Sequence, residues 1–175
     1  MSAFEQNKIY SLSENRKGKE NGECRFRYTL QEDCLRFYFD VKDCDIVSPY
    51  TEDNDDIWKA DAVEVFISPD GDLKNYKELE VSPFGVRFYG HIYNENGKKP
   101  QLTKQEPPFT AKAELTEEGY RVEMVLPVSA LEGFDAEKMK FNAFRLDKKP
   151  NKRRQLLYAL SPTFCKKFHR PAYFK

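Results

Sequence analysis

The chain has 175 residues, a size that suits one domain around one core, and its 29 basic and 29 acidic side chains cancel. A formal net charge of zero supplies no field that would draw the molecule to nucleic acid or an anionic membrane, so any partner must be selected locally. The 14 Phe and 10 Tyr against a single Trp favour strands over a helical bundle.

Met1 to Asn21 is polar and holds no apolar stretch of signal-peptide character, and no long apolar run follows. The chain therefore reads as cytoplasmic, with residues 1–22 expected as a polar leader or edge segment and 23–175 as the domain. Cys24, Cys34, Cys44 and Cys165 lack a CxxC spacing and are expected as free thiols, neither a zinc site nor a redox motif.

Period-two alternation starts at Cys24, Phe26 and Tyr28, breaks at a turn over Gln31 to Asp33, and resumes at Leu35, Phe37, Phe39 and Val41. The acidic stretch Thr51 to Asp56 reads as a loop, and Asp61 to Ser68 alternates with Val63, Val65 and Ile67 on one face. Pro69-Asp70-Gly71 is a turn. Further strands are expected over Glu78 to Val81, Val86 to Tyr93, Ala111 to Leu115 and Tyr120 to Leu126, and Lys98 to Pro108 is expected as a long loop. Thr116 to Gly119 connects the last two of these strands as a hairpin, with Gly119 free to take a positive φ. Only Val128 to Leu131 and Asp135 to Lys138 suggest helix, and both are too short to cross between parallel strands. Strands return at Phe141 to Asp147 and Leu156 to Leu160, around the basic turn Lys148 to Arg154. The expected fold is all-β: a single antiparallel β-sandwich, jelly-roll-like, with minor short helices. Leu35, Phe37, Val63, Val65, Ile67, Val122 and Met124 are its expected core.

Trp58, the only tryptophan, stands just before a strand at the end of the acidic loop, which suggests a rim rather than a core position. The run from Asp55 to Ile67, with its tryptophan, acidic residue and Val63-Glu64-Val65-Phe66 strand, resembles carbohydrate-binding module family 9. Further matches follow in order. Tyr76 to Pro83, Gly119 to Leu126 and Phe141 to Arg145 are similar to family strands, and Ser161-Pro162 with Phe168 to Phe174 is similar to its closing segment. The resemblance implies a sandwich that clasps a terminal sugar between two aromatic rings, here Trp58 and Phe168. Such a clamp works because a pyranose presents apolar C–H faces to the rings while its rim hydroxyls need fixed polar partners.

The resemblance also makes Glu64 a partner of sugar hydroxyls, with Glu80 standing where the family has an arginine and Cys165 where it has an asparagine. His169, beside Phe168, joins the candidates. Tyr89 lies on one face with Arg87, His91 and Tyr93, which fits either a cleft lining or an outward polar face. Asn142 and Arg145 point to opposite faces of their strand, so at most one meets a ligand directly. No cofactor is required, although Asp53, Asp55 and Asp56 are candidate calcium ligands on an acidic loop without EF-hand spacing.

The expected function is carbohydrate binding without catalysis. Two alternatives remain beside a protein-interaction role: a glycosidase using a pair among Glu64, Glu78 and Glu80, and a haem protein ligated from His91, His169, Met124 and Met139. Against the first, the chain carries no G-x-S-x-G, phosphate-loop or H-E-x-x-H motif. Against the second, Met124 shares a core-type face with Val122 and Leu126.

Overall fold

A computed structural model describes residues 4–175. The strands are β1 (Tyr10–Glu14), β2 (Glu20–Gln31), β3 (Cys34–Lys42), β4 (Ala62–Ser68), β5 (Asn75–Val81) and β6 (Arg87–Tyr93). They continue as β7 (Gln101–Lys104), β8 (Thr110–Thr116), β9 (Gly119–Pro127), β10 (Lys140–Lys148) and β11 (Gln155–Ala159). All neighbours are antiparallel, in the order β7-β6-β5-β4-β10-β11-β1-β2-β3-β9-β8. No helix among the described residues is long and apolar enough to cross a membrane.

The sheet curls so that its two halves face each other. Val63, Val65 and Ile67 of β4, Leu79 and Val81 of β5, and Phe141 of β10 share one buried cluster with Phe26, Phe37, Val122 and Met124 from the other half. Phe141 is the aromatic hub, with ring centres 4.9 Å from Tyr28 and 6.0 Å from both Phe26 and Phe37. The expected core residues are all at most 2% exposed. Burial of each such large apolar side chain stabilises the fold by roughly 1.5–3 kcal/mol. The all-β sandwich expected from period-two alternation is therefore the observed architecture.

Differences from the sequence expectation lie where alternation is short or absent. The segment expected as leader or edge contributes β1, which lies inside the sheet between β11 and β2. Only Leu12 there is a fully buried apolar residue, too little to mark a strand. Gln101–Lys104, expected within a loop, is exposed at every residue and is a strand through its ladder to β6. Of the two expected helices, Val128–Ala130 is one 3₁₀ turn, and Asp135 to Lys138 is a turn closed by the Asp135 carbonyl. Gly119 closes the β8–β9 hairpin where a Cβ would run into the Val41 carbonyl oxygen, so close backbone approach requires glycine there.

Candidate functional site

On the half formed by β6, β5, β4, β10 and β11, the face turned away from the main core carries a row in register: Phe88, Glu80, Glu64, Phe144 and Ala159. Next to it runs Gly90, Glu78, Phe66 and Asn142. A second apolar cluster covers much of this face, built from Phe66, Tyr76, Phe144, Leu146, Phe168 and Phe174 among others. The covering rings belong to the closing segment after β11.

Two asparagines hold that segment down. Asn142 donates from Nδ2 to the Ser161 carbonyl (2.8 Å), and its Oδ1 accepts from the Ser161 amide (2.9 Å). Asn15 accepts from the Thr163 amide (2.8 Å) and donates to Thr163 Oγ1 and the Cys165 carbonyl. Both asparagines are fully buried. With these partners they place Phe168 and His169 over the glutamate rows.

Glu64, Glu78 and Glu80 are 3%, 5% and 0% exposed, and one carboxylate oxygen from each lies within 4.8 Å of the others. Burial, followed by the charges of Glu78 and Glu80, raises the Glu64 carboxyl well above the usual range, and burial with Glu78 does the same to Glu80. His169 stacks on Phe66 with ring centres 4.7 Å apart. Its Nδ1 is 2.9 Å from Tyr76 Oη, and its Nε2 faces Glu78 Oε2 at 3.9 Å. Burial lowers the imidazole's basicity, opposed by Glu78.

Trp58 sits in a 3₁₀ turn, Ile57–Lys59, just before β4. Ile57 anchors the turn against Val86 and Phe88, while the indole is 41% exposed, with Lys59 Nζ 4.8 Å from its ring centre. The Trp58 carbonyl accepts from Gln155 Nε2 at 3.0 Å, which ties the turn to β11.

Several expected site residues lie elsewhere. Phe168, expected as an exposed clamp ring, is 8% exposed and stacks on Phe144 at 4.1 Å between centres, because the apolar face of β10 attracts it. Tyr89 faces the main core with Leu79 and Val81. Arg145 points to that same side, fully buried, and pairs with Asp43 (3.2 Å) and Asp147 (3.4 Å). Strand parity decides both, since Tyr89 and Arg145 are an odd number of residues from Phe88 and Phe144. Asn142 is on the face turned away from the main core but is engaged with Ser161.

The candidate calcium ligands serve separate partners. Asp53 binds Arg87, Asp55 accepts from the Thr51 and Glu52 amides, and Asp56 pairs with Lys59 (2.7 Å) and Lys104 (3.1 Å). Met124 and Met139 are core residues, and His91 Nδ1 lies 2.9 Å from Lys77 Nζ. The four cysteines are unpaired, as expected. A groove of about 330 Å³ opens on the opposite layer, between Arg25, Arg27, Tyr38 and Arg121. Cross-strand pairs such as Arg36–Glu123 (3.4 Å) and Arg121–Asp40 (3.5 Å) make that layer an ordinary charged strand face, remote from Trp58 in the sheet order.

A model of the carbohydrate family 9 binding domain-like family matches residues 2–174. The chain belongs to that family. Within the family 9-like fold, a candidate carbohydrate-binding protein from Bacteroides uniformis superposes with a TM-score of 0.74 at 22% identity, covering 95% of this chain and 84% of that one. A family 9 module from Caldicellulosiruptor kristjanssonii in complex with glucose gives a TM-score of 0.60 at 17% identity, covering 95% and 82%. The same organism's module with cellotriose gives 0.60 at 16%, covering 94% and 78%. An extracellular protein of Arthroderma benhamiae is 42% identical over 59 residues, which span 33% of this chain and 23% of that protein.

Sequence reasoning missed Phe144, Tyr76 and Asn94 as parts of this family 9-like face. Phase along β10 could have found Phe144, two residues from Asn142. The Tyr76–His169 contact bridges 93 positions and left no local signal.

Proposed function

We propose that this domain binds a carbohydrate without transforming it, with Trp58 as the stacking platform. The observation that carries this reading is the half-exposed indole on a turn anchored by Ile57 and Gln155, in a chain of a carbohydrate-binding family. An exposed, anchored ring presents apolar area to a pyranose at little entropic cost, whereas a mobile one would lose more on binding. The Lys59 ammonium, 4.8 Å from the ring centre, supplies a polar group next to the indole. Glucose and short β-glucans are the first ligands to test, because the family 9 modules of similar fold were solved with glucose and cellotriose.

Non-catalysis is supported by the state of the carboxylates. A glycosidase needs an acid and a base or nucleophile flanking a bound glycosidic bond. Glu64, Glu78 and Glu80 instead lie against one another beneath covering rings.

Titration with glucose, cellobiose and cellotriose, followed by indole fluorescence and calorimetry, tests the reading directly. Trp58→Ala should abolish the binding heat and leave stability within about 0.5 kcal/mol, as for an exposed side chain. Binding that survives Trp58→Ala would refute the platform, and turnover of aryl glycosides lost in Glu64→Gln would refute non-catalysis.

A further inference from the structure

Two triads of buried carboxylates occur among the described residues, and they are neutralised differently. Asp43, Asp61 and Asp147 lie beside two cations: Arg145 reaches Asp43 and Asp147, and Lys149 reaches Asp147 at 3.1 Å and Asp43 at 3.6 Å. Glu64, Glu78 and Glu80 have no such partner. The nearest ammonium acting on Glu80 is that of Lys104, which is engaged by Asp56 and the Asn54 carbonyl. Glu64 Oε2, Glu78 Oε2 and both oxygens of the fully buried Glu80 accept from no amide, hydroxyl or cation, and Glu78 is hydrogen-bonded only to its fellow carboxyls Glu64 and Glu80. Buried acceptors left in that condition are costly, and a group that compensates them is the expected remedy.

The geometry points to a binding site for one divalent transition-metal ion, of the manganese or zinc type, at Glu64, Glu78, Glu80 and His169. The separations suit an ion between the groups. Oxygens within 4.8 Å of one another can share a centre at metal–ligand distances of about 2.0–2.4 Å. The 3.9 Å from His169 Nε2 to Glu78 Oε2 is too long for a hydrogen bond; the imidazole borders the triad at Glu78 and would complete the ligand set by closing on it, since it lies outside the mutual 4.8 Å reach of the three carboxylates.

His169 is also oriented as a ligand would be. Nδ1 is bonded to Tyr76 Oη, which is itself fixed by Asn94 Nδ2 at 3.2 Å; in the tautomer with Nδ1 as donor, the Nε2 lone pair is directed towards the carboxylates. Metal-bound histidines are held in this way by a partner on the other nitrogen. The Phe66 ring beneath fixes the imidazole plane. Three carboxylates with one imidazole suit manganese or zinc better than calcium, which asks for six to eight oxygens. Full burial of Glu80 favours a bare ion over a sugar amine, which would have to displace the closing segment.

This inference does not rest on sugar binding, and its test is run without sugar, so either reading can fail alone. The full chain, freed of metal by chelator dialysis, is titrated with MnCl₂ and, separately, ZnCl₂ at neutral pH. Calorimetry and loss of the free Mn²⁺ paramagnetic signal report uptake, and thermal denaturation reports coupling to the fold. One ion per chain, raising the melting temperature, is expected. Glu80→Gln and His169→Gln should each weaken uptake at least tenfold, and Tyr76→Phe, which keeps the packing, about tenfold through loss of the imidazole's orientation. No uptake by the wild type would overturn the site and leave protons shared among the carboxyl groups as the neutralising species. Uptake unchanged in both Glu80→Gln and His169→Gln would also overturn it, as an adventitious ion only.

Discussion

Asp61 stands three residues after Trp58 with its side chain fully buried, and each carboxylate oxygen accepts a backbone amide, from Val47 and from Lys148. Burial pushes its carboxyl up to about 6, against the opposing effect of those two hydrogen bonds. The unfolded chain ionises this group near its ordinary value of 3.8 while the fold keeps it protonated to about 6. Between those values the folded state holds more protons, so the contribution of Asp61 to stability declines as pH rises through that window and is level above it. Its size is on the order of 2–3 kcal/mol. Chemical denaturation of wild type and Asp61→Asn from pH 3.5 to 7.5 should show this as a difference that varies only across the window. Asn also carries one acceptor where two are used, so a constant loss of about 1–3 kcal/mol is expected beneath the pH effect. A difference independent of pH would show that Asp61 ionises normally in the fold. Arg145 illustrates what residue type alone conceals. An arginine in a strand resembling a binding strand reads equally as a ligand contact or as a structural cation, and only the buried aspartates from distant segments decide between them.

At the scale of elements, the closing segment is the piece whose role differs most from its sequence reading. The resemblance set Phe168 opposite Trp58 as the second ring of a clamp. It could not reveal that Phe168 packs on Phe144, since ring stacking across 24 positions depends on the path of the chain after β11. Phe168→Ala should therefore cost about 3 kcal/mol, the usual range for a buried Phe, where an exposed clamp ring would cost almost nothing. A urea midpoint unchanged by this substitution would restore the open clamp. Strands with strong inward alternation, such as β3, β4 and β9, were legible because one face of each is buried against the opposite layer. β1 and β7 were not, because ladder hydrogen bonds rather than apolar burial define them. Trp58 was legible as a rim residue because a turn anchored by Ile57 leaves its neighbour facing out.

For the whole molecule, the two-layer core was readable because face assignment on a strand needs only parity, and parity was right at each expected core position. Phe37→Ala, which would leave a cavity beside Phe26 and Phe141, should cost about 3–5 kcal/mol and lower the denaturation midpoint without changing the sugar affinity per folded molecule. Sheet order is another matter, since no local signal says that β11 lies between β10 and β1. That arrangement has a consequence for how the chain acquires its shape. The β1–β2–β3 unit and the β4–β5–β6 unit can each form from near neighbours in sequence, but the ladder joining the halves runs through residues 155–159, which follow every other strand of the domain in sequence. During synthesis, then, β1 and β10 each present an unpaired edge until β11 arrives. The nascent domain would pass through a stage prone to pairing with other chains, and its completion should be slow and late, as expected when the decisive contacts are the most distant ones.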